Sequence, residues 1–183
     1  KSSDRALHTL IFDDPECRPF YYKNGKSFKD YHKEGEIFWH KYVTYTEGMS
    51  DYWDYSFFNV SVIRYADVLL LYAECLNDKG ETTEAINIIN KVRARVNVPA
   101  LPLTMSKAEV LKHLQDKERP CELALEGSRW YDLVRWGIVE ETLKAHNKPF
   151  VENYVDTKHQ LFPIPHSEFL LNPDWEQNPN YSK

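Results

Sequence analysis

Hydrophobic positions recur at helical spacing across the middle of the chain. From residue 62 to residue 78 the apolar side chains fall three or four positions apart, on what would be one face of a helix: Val62, Tyr65, Ala66, Leu69, Leu70, Ala73 and Leu76. A second run spans residues 85–96, and Thr82 or Thr83 is positioned to cap it. Gly80 lies between the two runs, where a helix C-cap is expected. The pattern therefore predicts an αα-hairpin, two antiparallel helices joined by a tight turn.

Helical patterning continues in shorter pieces after the hairpin. Ser106 and Glu109 have the spacing of a capping box, which predicts the start of a third helix. Pro120 is expected to kink or break that helix, because proline lacks the backbone N–H and clashes with the preceding turn. A short helix is predicted over residues 128–136, and after Pro149 the chain is predicted to form an extended strap.

The first 59 residues have a different character. Segment 35–46 is rich in aromatic and β-branched residues, which are typical of strands, and Asn24-Gly25 is a predicted hairpin turn. We therefore predict a mainly α fold with a helical region over residues 60–183. Its centre is the tetratricopeptide-like αα-hairpin with flanking helices, preceded by an aromatic strand and loop segment over residues 1–59.

Composition narrows the classes of function. The 183 residues carry a net charge of −5 without a run of Lys and Arg, so nucleic acid is not an expected partner. Three dispersed cysteines and seven scattered histidines show no metal-ligand spacing. With 6 glycines in the chain, a glycine-rich phosphate loop is not expected either. We therefore predict neither a metal nor a cofactor.

A dense block of acids and arginines occupies residues 118–137. Its carboxylates Glu118, Glu122 and Glu126 are four residues apart, a spacing that would place them on one helical face. A glycosidase needs two carboxylates that face each other across a cleft, and nearby arginines would hold these acids ionised. We therefore interpret the block as a structural ion-pair network and predict no catalytic residue. Its expected further members are Arg119, Arg129, Trp130, Asp132, Arg135 and Trp136.

The better candidate for ligand contact is the aromatic segment at residues 51–58. Tyr and Trp rings stack on the apolar face of a sugar, and nearby carboxylates accept its hydroxyl hydrogens. The predicted glycan-binding residues are Asp51, Tyr52, Trp53, Asp54 and Tyr55, together with Trp39 on the predicted strand. The alternative is that these rings cover the neighbouring helices or pack against cross-strand neighbours.

Six blocks of sequence form an ordered set. They are R-Y-A-D-V-L-L-L-Y-A-E at 64–74, the Gly80 turn with Ala85, N-K-V-R-A-R at 90–95, E-L-A-L-E-G-S-R-W-Y-D-L-V-R-W-G at 122–137, L-F-P-I-P at 161–165 and Q-N-P-N-Y at 177–181. Together they resemble the RagB/SusD family of outer-membrane nutrient-binding lipoproteins from Bacteroidetes. Members of that family are much longer, so residues 1–183 are either a single domain or, as the resemblance implies, the C-terminal portion of such a protein.

The resemblance also implies a function. It implies a surface-exposed lipoprotein of the outer membrane that captures glycans and hands them to a SusC-like TonB-dependent transporter. It implies no catalysis, ligand sites in variable loops, and a lipid anchor that lies outside this chain. Two alternatives stay open: a tetratricopeptide-type protein-interaction module without glycan affinity, and a glycosidase that uses Glu118 or Glu126.

Overall fold

The computed structural model describes four parts of the chain, residues 3–14, 27–42, 59 and 61–182. The chain divides into two compact units, residues 1–127 and residues 128–183. Both units are mainly helical, which confirms the predicted fold class. Among the described helices, none is long and apolar enough to cross a membrane.

The first unit opens with a short helix and a two-stranded ribbon. Helix α1 is Asp4–Thr9, strand β1 is Leu10–Ile11, and strand β2 is Phe38–Trp39, with a 3₁₀ turn at Phe28–Asp30 between the strands. The strands pair antiparallel, with Leu10 opposite Trp39 and Ile11 opposite Phe38.

The predicted strand over residues 35–46 is much shorter in the structure. Gly35 has φ +82°, a left-handed turn conformation that an extended strand excludes, so β2 begins only at Phe38. The strand ends at Trp39, and Tyr42 again has a positive φ of 69°. The rest of the predicted strand and the predicted hairpin turn at Asn24-Gly25 lie outside the described residues.

The αα-hairpin is present as predicted. Helix α2 is Tyr65–Asp78 and helix α3 is Thr82–Ala94, and α4, Lys107–His113, packs against both. Their apolar faces form one core whose fully buried members are Leu70, Ala73, Ala85, Ile86, Ile89, Val110 and Leu114. Each large side chain buried there contributes about 1.5–3 kcal/mol. The small side chains of Ala73 and Ala85 let the two hairpin helices approach closely.

Gly80 makes the turn between α2 and α3. Its φ is +87°, and its N–H donates to Asn77 O at 3.0 Å, while the N–H of Glu81 donates to Leu76 O at 2.9 Å. These two bonds are the Schellman pair that satisfies the last carbonyls of a helix. Glycine fits because it adopts a positive φ without the strain that a Cβ atom causes.

The predicted threonine cap of α3 is wrong. Glu81 precedes the helix and makes no side-chain cap bond, because the Schellman turn is so short that Thr82 is already helical. The hydroxyl of Thr82 instead donates to Asn77 Oδ1 at 3.1 Å, across the turn. The helix start at Ser106 is confirmed: the Ser106 hydroxyl accepts from the N–H of Glu109, and the Glu109 carboxylate accepts from the N–H of Ser106 at 2.7 Å.

Pro120 widens its helix rather than breaking it. After α4, residues Leu114–Glu118 form a π turn in which the N–H of Arg119 donates to Leu114 O. Helix α5, Arg119–Glu122, then carries Pro120 in its first turn, where a residue without a donor is tolerated. The expected interruption is therefore a shift in hydrogen-bond register, and the helix ends at Glu122.

The second unit contains two helices and three shorter helical segments: α6 Arg129–Trp136, α7 Val139–Ala145, a 3₁₀ turn Pro149–Asn153, α8 Asp156–His159 and α9 His166–Leu171. Gly137 ends α6 with φ +68°, as its sequence position predicts. Leu133, Val139 and Leu143 form a small core against which Trp130 and Tyr154 pack.

The predicted strap after Pro149 is less extended than expected. Its three helical segments are short and local, and residues 161–165 between α8 and α9 are not helical. The Gln177 amide clasps that stretch by accepting from Ile164 N–H at 2.8 Å and donating to Ile164 O at 2.9 Å. Asn178 Nδ2 adds a bond to Phe162 O at 2.7 Å.

We predict that Gly80→Ala lowers the free energy of unfolding by about 1 kcal/mol, measured by urea denaturation. A Cβ atom at Gly80 would meet nothing within 4 Å, so the loss would come from backbone strain alone. Gly80→Asn is the control, because asparagine tolerates positive φ better, and its loss should be smaller. Equal losses for the two variants would contradict the assigned turn geometry.

Candidate functional site

Three glutamates converge within the first unit. Glu118 ends the π turn, Glu122 ends α5, and Glu126 lies in a turn between Leu125 and Gly127, both of which have positive φ. Because the helix stops at Glu122, the four-residue spacing does not place all three on one continuous helical face. They belong to one network because Glu122 shares Arg5 with Glu118 and shares Arg64 with Glu126.

Glu118 is fully buried and is surrounded by three partners. Its Oε1 accepts from Arg5 Nη2 at 2.6 Å, and its Oε2 accepts from Arg93 Nη1 at 2.6 Å. The His113 Nε2 lies 2.8 Å from the same Oε2. Burial alone would raise the pKa of Glu118, but His113, Arg5 and Arg93 outweigh it and lower the pKa to about 2.

Glu122 and Glu126 both pair with Arg64, and each also has a further cationic partner. Glu122 Oε1 lies 2.7 Å from Arg95 Nη2 and 3.1 Å from Arg64 Nη1. Glu126 accepts from Arg64 Nε at 2.7 Å and also pairs with Lys41. Burial of the Glu126 carboxyl raises its pKa. The hydrogen bonds and charges of Arg64 and Lys41 lower the pKa by more than burial raises it, so the net shift is downward.

The cations of this network come from distant parts of the sequence. Arg119 instead pairs with Asp67 at 2.8 Å, and Arg135 pairs with Asp132 at 3.0 Å. The prediction of a structural network is therefore right for the three glutamates and wrong about their main partners. Those partners are Arg5, Lys41, Arg64, Arg93, Arg95 and His113.

The tryptophans of the block lie among second-unit side chains. Trp130 packs against the small core of that unit and meets Tyr154 edge to face, with ring centroids 6.2 Å apart. The Arg135 guanidinium lies 4.4 Å above the Trp136 ring.

A cavity of about 240 Å³ opens beside the network, and we refer to it as the cationic pocket. Its lining residues are Arg5, His8, Thr9, Lys41, Tyr42, Ser61, Arg64, Arg95, Val96 and Glu122. Burial and the nearby Glu126 raise the pKa of Tyr42, so its hydroxyl stays protonated at neutral pH. The pocket therefore combines four cationic side chains with hydroxyl donors.

A second cavity, of about 310 Å³, lies within the second unit, and we refer to it as the aromatic pocket. Its lining residues are Trp130, Leu143, Phe150, Asn153, Tyr154, His159, Leu161, Phe162 and Tyr181. Burial of the Tyr154 hydroxyl and its bond to Asp156 raise its pKa to about 12, so it stays a donor. Rings around a concavity with one amide are a common way to hold a flat apolar ligand face.

Comparison with known proteins identifies the family. The model of the SusD family matches residues 19–181. This chain belongs to the SusD family. A SusD-like protein of Formosa agariphila is 37% identical to it over 130 residues, 67% of this chain and 25% of that protein. A second SusD-like protein from the same organism is 31% identical over 131 residues, again 67% of this chain and 26% of that protein.

Solved structures of SusD proteins show the same fold. A SusD superfamily protein of Bacteroides vulgatus superposes with a TM-score of 0.75 and 29% identity, over 97% of this chain and 39% of that one. A SusD homolog of Bacteroides thetaiotaomicron has a TM-score of 0.55 and 35% identity over 65% of this chain and 26% of that one. This chain spans about a quarter of the length of the curated SusD-like relatives it matches.

One of the predicted ligand residues of this SusD chain is described by the structure. Trp39 lies in β2 opposite Leu10 and is 50% exposed, so its ring has an accessible face. The other five, residues 51–55, lie outside the described residues. Within the described residues, no group of His, Cys, Asp and Glu is arranged to hold a metal.

Sequence reasoning missed the partners of the glutamates, although a signal was present. Arg64, Arg93 and Arg95 all fall within the two blocks R-Y-A-D-V-L-L-L-Y-A-E and N-K-V-R-A-R that carried the SusD resemblance. When some signature blocks of a sequence contain arginines and another contains glutamates, the combination indicates a long-range ion-pair network between the blocks. Arg5 and Lys41 carried no such signal.

We predict that Glu118→Gln lowers the free energy of unfolding by about 3–5 kcal/mol, because it removes the carboxylate that pairs with Arg93 and leaves the buried Arg5 with Glu122 alone. The control is Glu140→Gln, which removes an exposed carboxylate paired with Lys144 at 2.6 Å. That exposed pair should contribute less than about 0.5 kcal/mol. Urea denaturation that gives similar losses for both variants would contradict the network.

We further predict that acid destabilises the protein through Glu118. Its pKa of about 2 lies below the ordinary value of 4.5, so its contribution is fully present above pH 4.5 and is lost as the pH falls towards 2. The free energy of unfolding should fall by about 3 kcal/mol over that interval, since one pKa unit corresponds to about 1.4 kcal/mol. Denaturation at a series of pH values tests this, and Glu118→Gln should show a shallower fall.

Proposed function

We propose that this protein binds glycans at the cell surface without transforming them and delivers them to a SusC-like TonB-dependent transporter in the outer membrane. Membership of the SusD family is the observation that carries the proposal. The proposed location is the outer face of the outer membrane, where a lipid anchor would hold the protein.

The chemistry of the glutamates disfavours the glycosidase alternative. A general acid must carry a proton near neutral pH, and the pKa of Glu118 lies near 2. The pKa of Glu126 is lowered as well, by Arg64 and Lys41 against the effect of burial. Both carboxylates are engaged in ion pairs with cationic side chains.

Glycan contact is proposed for the aromatic segment. The rings of Tyr52, Trp53 and Tyr55 would stack on sugar faces, and Asp51 and Asp54 would accept sugar hydroxyl hydrogens. The half-exposed ring of Trp39 is available for the same kind of contact. The aromatic pocket of the second unit supports the proposal, since its rings and the Asn153 amide have the composition that suits a sugar.

An exposed apolar surface favours a second candidate function. Tyr65, Val68 and Tyr72 on helix α2 are 77%, 47% and 51% exposed, at spacings that put them on its outer side. Such a surface suits contact with another protein, as expected of an interaction module without glycan affinity. The two functions differ in a simple way: the second predicts no glycan binding at all.

A glycan array followed by calorimetry with the strongest-binding oligosaccharide tests the proposal. We predict that Trp53→Ala weakens that binding about tenfold or more, since a central ring contact is worth about 1.4 kcal/mol or more. Tyr131→Ala is the control, because Tyr131 is 64% exposed and lies outside the predicted site.

Three outcomes separate the hypotheses. Unchanged affinity of Trp53→Ala would remove that residue from the site, and the absence of any array signal would favour the interaction module. Release of shortened sugars from a bound glycan would instead revive the glycosidase.

A further inference from the structure

The cationic pocket carries more positive than negative charge. Among the described residues, the network holds five fixed cations against three carboxylates, an excess of two positive charges. The cations are Arg5, Lys41, Arg64, Arg93 and Arg95, and the acids are Glu118, Glu122 and Glu126. The neighbouring pair of Arg119 with Asp67 adds one charge of each sign, so it leaves the excess unchanged.

Such an excess is unfavourable away from bulk water. Arg5 is 8% exposed, Arg64 is part-buried, and the Lys41 side chain is 19% exposed. Charges in these surroundings are stabilised when an opposite charge completes their hydrogen bonding. Within the described residues the excess is not balanced, which favours binding of an additional anion.

Donors with spare capacity line the cavity. Arg95 has a side chain that is 57% exposed, and among the described residues its one ion-pair partner is Glu122, so most of its five N–H groups are available to a further acceptor there. The Nε of Arg5 is buried and lies 3.1 Å from Glu122 Oε2, but it has no hydrogen-bond partner among the described residues. The hydroxyls of Thr9 and Ser61 line the same cavity.

The shape of these donors selects a class of ligand. Guanidinium groups present paired N–H donors that match carboxylate and sulfate oxygens, and hydrogen bonds to charged acceptors are about twice as strong as neutral ones. A neutral sugar would supply hydroxyl acceptors but no compensating charge. The volume of about 240 Å³ is below the usual range for a whole bound ligand, so it suits one substituent of a longer chain.

We propose that the cationic pocket binds an anionic substituent of the glycan, a carboxylate or a sulfate ester. The inference rests on the proposed glycan-binding function and adds a substrate class to it, the acidic glycans. Arg95 would be the main accessible contact, with Lys41 and Arg64 providing the field behind it.

The first experiment isolates the pocket from the rest of the site. Sodium sulfate and glucuronate are titrated into the chain at constant ionic strength, with glucose as the neutral comparison, and binding is followed by calorimetry. Saturable binding of either anion is expected, and Arg95→Gln should weaken it about tenfold, because a bond to a charged group is worth about 1.5–3 kcal/mol. Lys144→Gln removes the same charge from an exposed second-unit position and should change nothing.

Arg95→Lys separates binding from structure. It keeps the charge opposite Glu122 but loses the fork of donors, so folding should be preserved and anion affinity only partly restored. A loss of anion binding in Arg95→Gln that merely follows a drop in its melting temperature would overturn the inference.

The competing possibility is that acidic side chains of the same chain balance the excess positive charge. Glu47, Asp51 and Asp54 lie in sequence between Tyr42 and Ser61, two residues that line the pocket. If wild type binds no anion, and a variant with all three acids changed to amides does, those acids are the counter-ions and the inference is overturned.

A second experiment distinguishes failure of the inference from failure of the proposed function. Neutral, uronate-containing and sulfated oligosaccharides of matched length are compared on wild type and Arg95→Gln. A preference for either charged series that Arg95→Gln abolishes supports the inference. Equal binding of all series by both proteins overturns it while glycan binding stands. If anions bind through Arg95 but no oligosaccharide binds, the anion site is supported and the proposed glycan-binding function is rejected.

Discussion

A buried carboxylate must be compensated, and Glu118 imposes that requirement on the first unit. Its side chain is fully buried, and its partner Arg5 is 113 residues away in sequence. Arg93 on helix α3 supplies the second bond. Because an uncompensated charge would be strongly unfavourable, the folded state needs α1, the hairpin and the π turn in place together. The ion pairs therefore couple α1, helix α3 and the π turn across the sequence.

The backbone that carries Glu118 is irregular, and Pro120 accounts for the irregularity. A proline at position 120 would clash with a regular α-helical turn, and the π turn relieves this by shifting the hydrogen bonds by one residue. Insertions of this kind rotate the side chains that follow them. In this protein the rotated residues include Glu122, which reaches Arg5, Arg64 and Arg95. The π turn thus helps to place Glu122 within reach of its arginine partners.

Local patterns were enough to predict the αα-hairpin, the helix after Ser106 and the helix Arg129–Trp136, and they failed where tertiary contacts decide. The αα-hairpin, the Ser106 cap and the turns at Gly80 and Gly137 follow from periodicity and from residues with particular backbone preferences. The pairing of Glu118 with Arg5 could not be read from the neighbours of either residue, because a contact across 113 residues leaves no local trace. The long strand failed for a similar reason: β-propensity depends on a partner strand, and β1 offers only Leu10 and Ile11. The choice of ligand residues in segment 51–55 rests on ring chemistry alone and stays a prediction.

The clasp around Ile164 shows how two distant sequence signatures can be one physical object. Pro163 and Pro165 have no N–H, so Ile164 is the one residue between them that offers both a backbone donor and an acceptor. Gln177 binds both groups with a single amide, as a neighbouring strand would do with its backbone. L-F-P-I-P and Q-N-P-N-Y are therefore hydrogen-bonded to each other within one chain, so a substitution at Gln177 would leave the backbone groups of Ile164 without these bonds. The presence of both blocks in a sequence therefore indicates a tertiary contact that neither block indicates alone.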